Sequence, residues 1–352
     1  MIAFYLPQYH PIPENDAWWG EGFTDWRNVV KARPRFRRHY QPHVPSELGL
    51  YDLRDPDVRE RQAALARDHG ISAFCYFHYW FVGRRLLGHP LDQVLARRRP
   101  DLPFCLCWAN ENWTRVWDGR NDQVLIAQDY SEEDDRAHMR WLAEVFRDER
   151  YFRVDDKPLF LVYRARDLPD PGRTTQVWRQ EARAHGAGEL FLARVESFDD
   201  ERDDPRELGF DAAVEFQPDM MRRPRSLRRG HGWDLLRRLG ISSQAFASNK
   251  VLEYAEFVQT ALAKPTPAYV RFPCVTPSWD NSPRRSEGAW IVKGSTPDLY
   301  EQWLREAVLR APEENPLVFV NAWNEWAEGN HLEPCERWGR AYLEATRRAL
   351  AY

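Results

Sequence analysis

Eight short apolar runs, rich in β-branched and aromatic residues and each followed by a longer segment of helical period, constrain this chain more than any other feature. They are Ile2 to Leu6, Ile71 to Phe77, Pro103 to Trp108, Leu159 to Tyr163, Leu190 to Val195, Ala212 to Phe216, Tyr269 to Val275 and Leu317 to Asn321. Most are apolar on both faces, as strands buried in a parallel sheet are. The intervening segments carry helix punctuation. Asp55 reads as an N-cap with Pro56 at the first helical position and Gly70 as the stop. Ser131 to Glu149 is a second helix, with a capping-box pattern at Ser131 and Asp134 and with Met139, Leu142, Val145 and Phe146 on one face. Thr296-Pro297 opens a third, with Leu299, Trp303 and Ala307 inward, and the segment after Trp338 supplies the last.

Alternating units of this number predict an α/β fold, a single (β/α)8 TIM barrel with elaborated βα loops over residues 1–352. An open doubly wound sheet is the alternative, but no GxGxxG or P-loop follows any run, so no nucleotide cofactor is expected and none of another kind is predicted. Lys and Arg number 50 against 54 Asp and Glu, a net charge of −4, which argues against nucleic acid as a partner. No stretch reaches the roughly 18 apolar residues of a membrane span, and no basic-then-apolar leader opens the chain. The expectation is a cytoplasmic protein, or a periplasmic or extracellular one if the chain is a trimmed piece. Five Cys, at 75, 105, 107, 274 and 335, are odd in number, and four lie in apolar runs. They read as buried thiols rather than disulfides, and without a CxxC pair they imply no metal. Nothing in the sequence fixes an oligomeric state.

Chemistry in such barrels sits on the loops after the C-terminal strand ends. After the first run come Tyr5, Gln8, His10 and, further on, Trp26. The second ends in His78, and the third in Trp108 followed by Asn110, Glu111 and Trp113. Glu215 closes the sixth, and Trp279, Asp280 and Asn281 follow the seventh. Aromatics make up 14% of the residues, 16 of them Trp, more than a core needs when each indole N–H wants a partner. A pyranose offers an apolar face for stacking and a rim of hydroxyls for Asn, Asp, Glu and His, so the set predicts an oligo- or polysaccharide ligand. The alternative is that the aromatics plug the barrel top and Asn and Asp form turns.

The segment after the eighth run, Asn321 to Pro334, holds Glu325, Glu328 and Glu333 within nine residues. Close carboxylates beside Trp push each other's pKa values apart, so one acid and one base can coexist at neutral pH, as glycosyl transfer requires. Glu325 and Glu328 are the candidate catalytic pair; Asn324, Trp326, His331 and Glu333 are candidate substrate ligands. Acidic residues at a helix start are also favourable for the helix dipole, which is the competing account.

At these residues the chain resembles the WbsX-type proteins of bacterial polysaccharide gene clusters. The matching blocks are FYLPQYHPIPENDAWWGEGFTDW, QPHVPSELGLYD, CWANENWTRVWDG and NAWNEWAEGNHLEP. Such proteins are commonly labelled glycosyltransferases. A more distant resemblance, on Asn324 to Gly329, is to glycoside hydrolase family 99, the endo-α-mannosidases, with a similar Asn-Glu-Trp-x-Glu-Gly motif after the last strand. That resemblance implies a retaining mechanism through a 1,2-anhydro sugar. On matching positions Glu325 would deprotonate the sugar's 2-hydroxyl and Glu328 would protonate the leaving oxygen. It also implies an α-manno or α-rhamno substrate, although Asn330-His331 stands where that family has Thr-Gln. A hydrolase, a glycosyltransferase and a non-catalytic sugar-binding barrel are the three functions these features allow.

Overall fold

The computed structural model describes residues 1–115, 120–196, 202–219 and 221–351. Residues 116–119 of the CWANENWTRVWDG block lie outside the described residues. Eight parallel strands form a nearly closed barrel: β1 (Ile2–Tyr5), β2 (Ala73–Phe81), β3 (Phe104–Trp108), β4 (Lys157–Val162), β5 (Phe191–Glu196), β6 (Ala212–Glu215), β7 (Arg271–Phe272 and Cys274–Val275) and β8 (Phe319–Val320). β1 lies between β2 and β8, with Ile2 opposite Ala73 on one side and Phe319 on the other.

Closure runs through β7. Its first half pairs with β6 and its second with β8, and Pro273 divides the two. Proline has no N–H to give a ladder, so a strand changes partner there at little cost. The Pro273 carbonyl still accepts from Phe319 N at 2.8 Å.

Helices cover the strands. They are α1 (Pro56–Asp68), α2 (His89–Arg97), α3 (Glu132–Val145), α4 (Pro171–Ala184), α5 (Tyr254–Leu262), α6 (Pro297–Leu309) and α7 (Ala341–Leu350). The predicted caps are made: Asp55 accepts from Asp57 N, Ser131 from Asp134 N and Thr296 from Leu299 N. On α6, Trp303 and Ala307 are buried as expected, while Leu299 is half-buried and Tyr300 and Leu304 complete the face. Between β5 and β6 the described residues hold a 3₁₀ turn, Pro205–Leu208, in place of an α-helix.

Period two decides which side chains face the barrel axis. Phe4 points in, with its ring 5.5 Å from Phe77, 5.4 Å from Phe216 and 5.6 Å from Phe319. Its neighbour Tyr5 points out and donates to Gln62 of α1 at 2.7 Å. The βα loops are elaborated: β2 continues into a hairpin with Arg84–Leu86, and Lys250–Glu253, Trp290–Lys293 and Trp279–Asp280 form a small separate sheet beyond β6. The five cysteines are free and buried. No helix among the described residues is long and apolar enough to cross a membrane.

Candidate active site

The segment after β8 folds back on itself. Asn324–Glu325 pairs antiparallel with Asn330–His331, and a 3₁₀ turn, Trp326–Glu328, joins them. Gly329 closes this turn at φ +56°, where a Cβ would sit 3.1 Å from Asp280 Cβ and 3.3 Å from the Asp280 amide nitrogen. A left-handed backbone in contact with another loop leaves room for glycine only.

Buried polar contacts fix the hairpin to the rest of the mouth. Asn324 accepts from Leu6 N at 2.7 Å and donates to Leu6 O at 3.0 Å, extending the β1–β8 pairing by a side chain. Tyr9 donates to Asn324 O at 2.6 Å and accepts from Trp326 N at 3.1 Å. Beneath them Glu333 accepts from Tyr51 at 2.8 Å, Gln62 at 2.6 Å and the Trp326 indole at 2.6 Å. Burial lifts its carboxyl to about 7 although all three donors pull it down.

On this platform Glu325 and Glu328 meet one cation. Arg284, in the 3₁₀ turn Ser282–Arg284 after β7, places Nη2 2.9 Å from Glu325 Oε2 and 2.6 Å from Asp25 Oδ2, and Nη1 2.7 Å from Glu328 Oε1. Three carboxylates thus surround a single guanidinium. Glu325 is 6% exposed, and the Glu328 side chain is 20% exposed. Burial raises both carboxyls, Glu325 to about 8; Arg284 opposes the rise, and the neighbouring acids reinforce it. Two such groups titrate as a pair, and at neutral pH the pair holds a proton.

The sign of the linkage follows. Folded Glu325 binds its proton more tightly than it does in the unfolded chain, so this stabilisation is complete below the ordinary value of 4.5 and is lost as pH rises through about 8. Wild-type stability relative to Glu325→Gln is therefore expected to fall between those values in urea titrations. A difference that stays flat, or rises with pH, would contradict the protonated resting state.

The candidate ligands from the strand ends fall into separate groups. Gln8, Glu111 and Trp113 line a cavity of about 530 Å³ together with Trp18, Tyr79 and Arg285. This cavity adjoins the acid cluster through Gln8, whose carbonyl accepts from Asp25 N at 3.2 Å, and through Arg285. Trp279, Asp280 and His331 line a second cavity of about 720 Å³ that shares no wall with the first. Asp280 there accepts from His39 at 2.6 Å and Gln41 at 2.7 Å, and these contacts hold its carboxyl below the usual range despite burial. His10 lies apart, on a cavity of about 360 Å³, and burial depresses its imidazole to about 4.

Other predicted ligands join elements together. Asn110 ties the β3 loop to Arg164 N at 2.8 Å, Asn281 accepts from Trp290 N at 2.8 Å, and Glu215 accepts from Lys264 at 2.6 Å. Trp26 donates to Tyr51 O at 2.7 Å, and Trp326 stacks on His331 with centroids 3.7 Å apart. Tyr5, His78 and Trp108 face the helix layer, not the mouth. His78 stacks on Trp141 of α3, and Trp108 lies against His138 of α3 and Trp178 of α4. A run apolar on both faces carries no mark of which phase points in, so sequence could not place these three.

Sequence reading missed Arg284 and the part played by Asp25. The only signal for Asp25 is its position in the FTDW block, and Arg284 follows Ser282-Pro283 with no motif of its own. Among the described residues no group of three or more His, Cys, Asp and Glu side chains is disposed to hold a metal ion.

Fold and site together define a class: a parallel α/β barrel that gathers buried carboxylates on the loop after its last strand. Residues 1–346 match the family described as Glycosyltransferase WbsX, and the chain belongs to it. Two proteins described as uncharacterized protein WxcX, from two strains of Xanthomonas campestris pv. campestris, are each 48% identical over 354 residues, covering 99% of this chain and 49% of theirs. The chain thus spans about half the length of the curated relatives it matches. Among solved structures, one described as a glycoside hydrolase-like protein superposes with a TM-score of 0.63 at 16% identity, covering 99% of this chain and 92% of its own. The GH99 endo-alpha-mannosidase from Bacteroides thetaiotaomicron, in complex with bis-tris-propane, gives 0.59 at 14%, covering 99% and 96%. At these identities the likeness establishes the fold.

Proposed function

We propose that this barrel, taken as one unit over residues 1–352, is a retaining glycoside hydrolase that cleaves an α-manno- or α-rhamno-configured bacterial polysaccharide, with Glu325 and Glu328 as its catalytic pair. The observation that carries the reading is the pair itself: two carboxylates at the end of the last strand, raised by burial, on adjacent nitrogens of one guanidinium. The proton belongs to the pair, and the first step draws on the microstate in which Glu328 carries it and Glu325 is ionised beside Arg284, which supplies one acid and one base at once.

In the first step Glu325 takes the proton of the 2-hydroxyl, O2 attacks C1, and the bond from C1 to the leaving oxygen breaks as Glu328 protonates that oxygen. The product is a 1,2-anhydro sugar. In the second step Glu328 takes a proton from water, the water oxygen attacks C1, and the C1–O2 bond opens as Glu325 returns the proton to O2. Two inversions give net retention. The chemistry needs a 2-hydroxyl anti to the leaving group, which α-manno and α-rhamno sugars provide. The aromatic-lined 530 Å³ cavity beside the cluster has room for sugar rings.

The family description favours a second reading, transfer from an activated sugar. The two separate in one assay. Incubation with α-mannan and α-rhamnan fragments is expected to release new reducing ends, with the α anomer formed first by NMR, whether or not nucleotide sugars are present. Chain growth that depends on a nucleotide sugar, without hydrolysis, would replace the hydrolase by the transferase.

A further inference from the structure

The 720 Å³ cavity carries a charge at odds with the molecule. Five of its lining side chains are cationic, Arg37, Arg38, Arg228, Arg337 and Lys293, against the acids Glu253 and Asp280, in a chain of net charge −4. Both acids are already engaged, Glu253 with Lys293 and Asp280 with His39 and Gln41. The four arginines have no carboxylate partner among the described residues.

Two of these guanidiniums are held by aromatic faces instead. Arg337 lies 4.8 Å from the Tyr40 centroid and 5.0 Å from Trp338. Arg228 lies 4.4 Å from Phe246 and 5.4 Å from Trp233. A guanidinium stacked in this way is oriented while its in-plane N–H fork stays open to an oxyanion. Arg38 at φ +66° and Arg228 at φ +53° occupy left-handed backbone, which glycine or asparagine would adopt more easily. Trp279, another lining residue, is 7% exposed, and its buried indole N–H has no hydrogen-bond partner among the described residues.

We infer that this cavity binds an acidic sugar residue of the glycan, a pyranose carrying a carboxylate or phosphate, with the ring against its aromatic wall and the anion on Arg228 and Arg337. The inference rests on the reading of the protein as glycan-active. It adds a charged unit to the substrate at a place distinct from the 530 Å³ cavity, and Gly329, next to Glu328, borders it.

Binding is read without turnover, so the result stands apart from the question of hydrolysis. The probes are trigalacturonate, a glucuronate oligosaccharide, mannose 6-phosphate, the methyl ester of trigalacturonate, and UDP, each titrated into the protein by calorimetry. At least one acidic sugar is expected to bind, to weaken about tenfold or more in Arg228→Ala and in Arg337→Ala, and to weaken with added salt. Both arginines are exposed on the wall, and unchanged circular dichroism would show that their variants fold. The methyl ester, equal in shape and uncharged, is expected not to bind. Binding of the ester as tight as that of the acid, binding of UDP alone, or no binding of any acidic sugar at millimolar concentration would each overturn the inference.

Discussion

Glu325→Gln is expected to lower the rate of glycan cleavage by about four orders of magnitude while the fold stays intact. Glutamine keeps the size of the side chain and one acceptor for Arg284, but its amide cannot take the 2-hydroxyl proton. Glu328→Gln should cost as much on substrates with a poor leaving group and far less on an aryl glycoside, whose leaving oxygen needs little protonation. That asymmetry separates base from acid and is read from kcat on the two substrate types. Equal losses in both variants on both substrates would leave the division of roles without support. Activity surviving within about tenfold of wild type in Glu325→Gln would remove this carboxylate from the chemistry altogether.

The largest loss of stability is expected at a residue that need not touch substrate. Glu333→Ala would strand the Tyr51 hydroxyl, a Gln62 N–H and the Trp326 indole N–H, all of which point at its carboxylate from 2.6–2.8 Å. Buried donors left unpaired, together with the cavity, amount to about 3–5 kcal/mol in urea unfolding. Glu333→Gln should fall well below this, since its carbonyl still accepts. A loss under about 1 kcal/mol for the alanine variant would mean that the three donors find other acceptors.

The barrel was legible because its strands are continuous apolar runs and its helices begin at Asp55, Ser131 and Thr296, residues whose side chains do cap. The pair Glu325 and Glu328 was legible because both sit in one short segment after one strand. What joins them was not. Arg284 reaches Glu325 from the loop after β7 across 41 residues, and Asp25, its other partner, lies 259 residues from it in the loop after β1; such separations leave no trace in spacing. Trp26, Asn110, Asn324 and Glu333 were read as ligands because a hydrogen-bonding side chain near a strand end looks the same whether it serves a sugar or a neighbouring loop. Only burial against named partners distinguishes them. The helix read over Ser131 to Glu149 ends at Val145, and the described residues between β5 and β6 hold a 3₁₀ turn in place of a helix, both differences that local propensity does not encode.

Arg284 makes the resting site self-occupied. Its side chain is 12% exposed and holds the Glu325 and Glu328 carboxylates, so a ligand that would touch either one competes with a tethered cation rather than with water. Measured affinity is then a difference between two occupants. A cationic ligand aimed at these carboxylates would meet a rival of the same charge already seated. For the proposed hydrolase, a long glycan that grips along its length would evict that rival where a monosaccharide would not, and chain length would become a criterion of selection before any bond is broken.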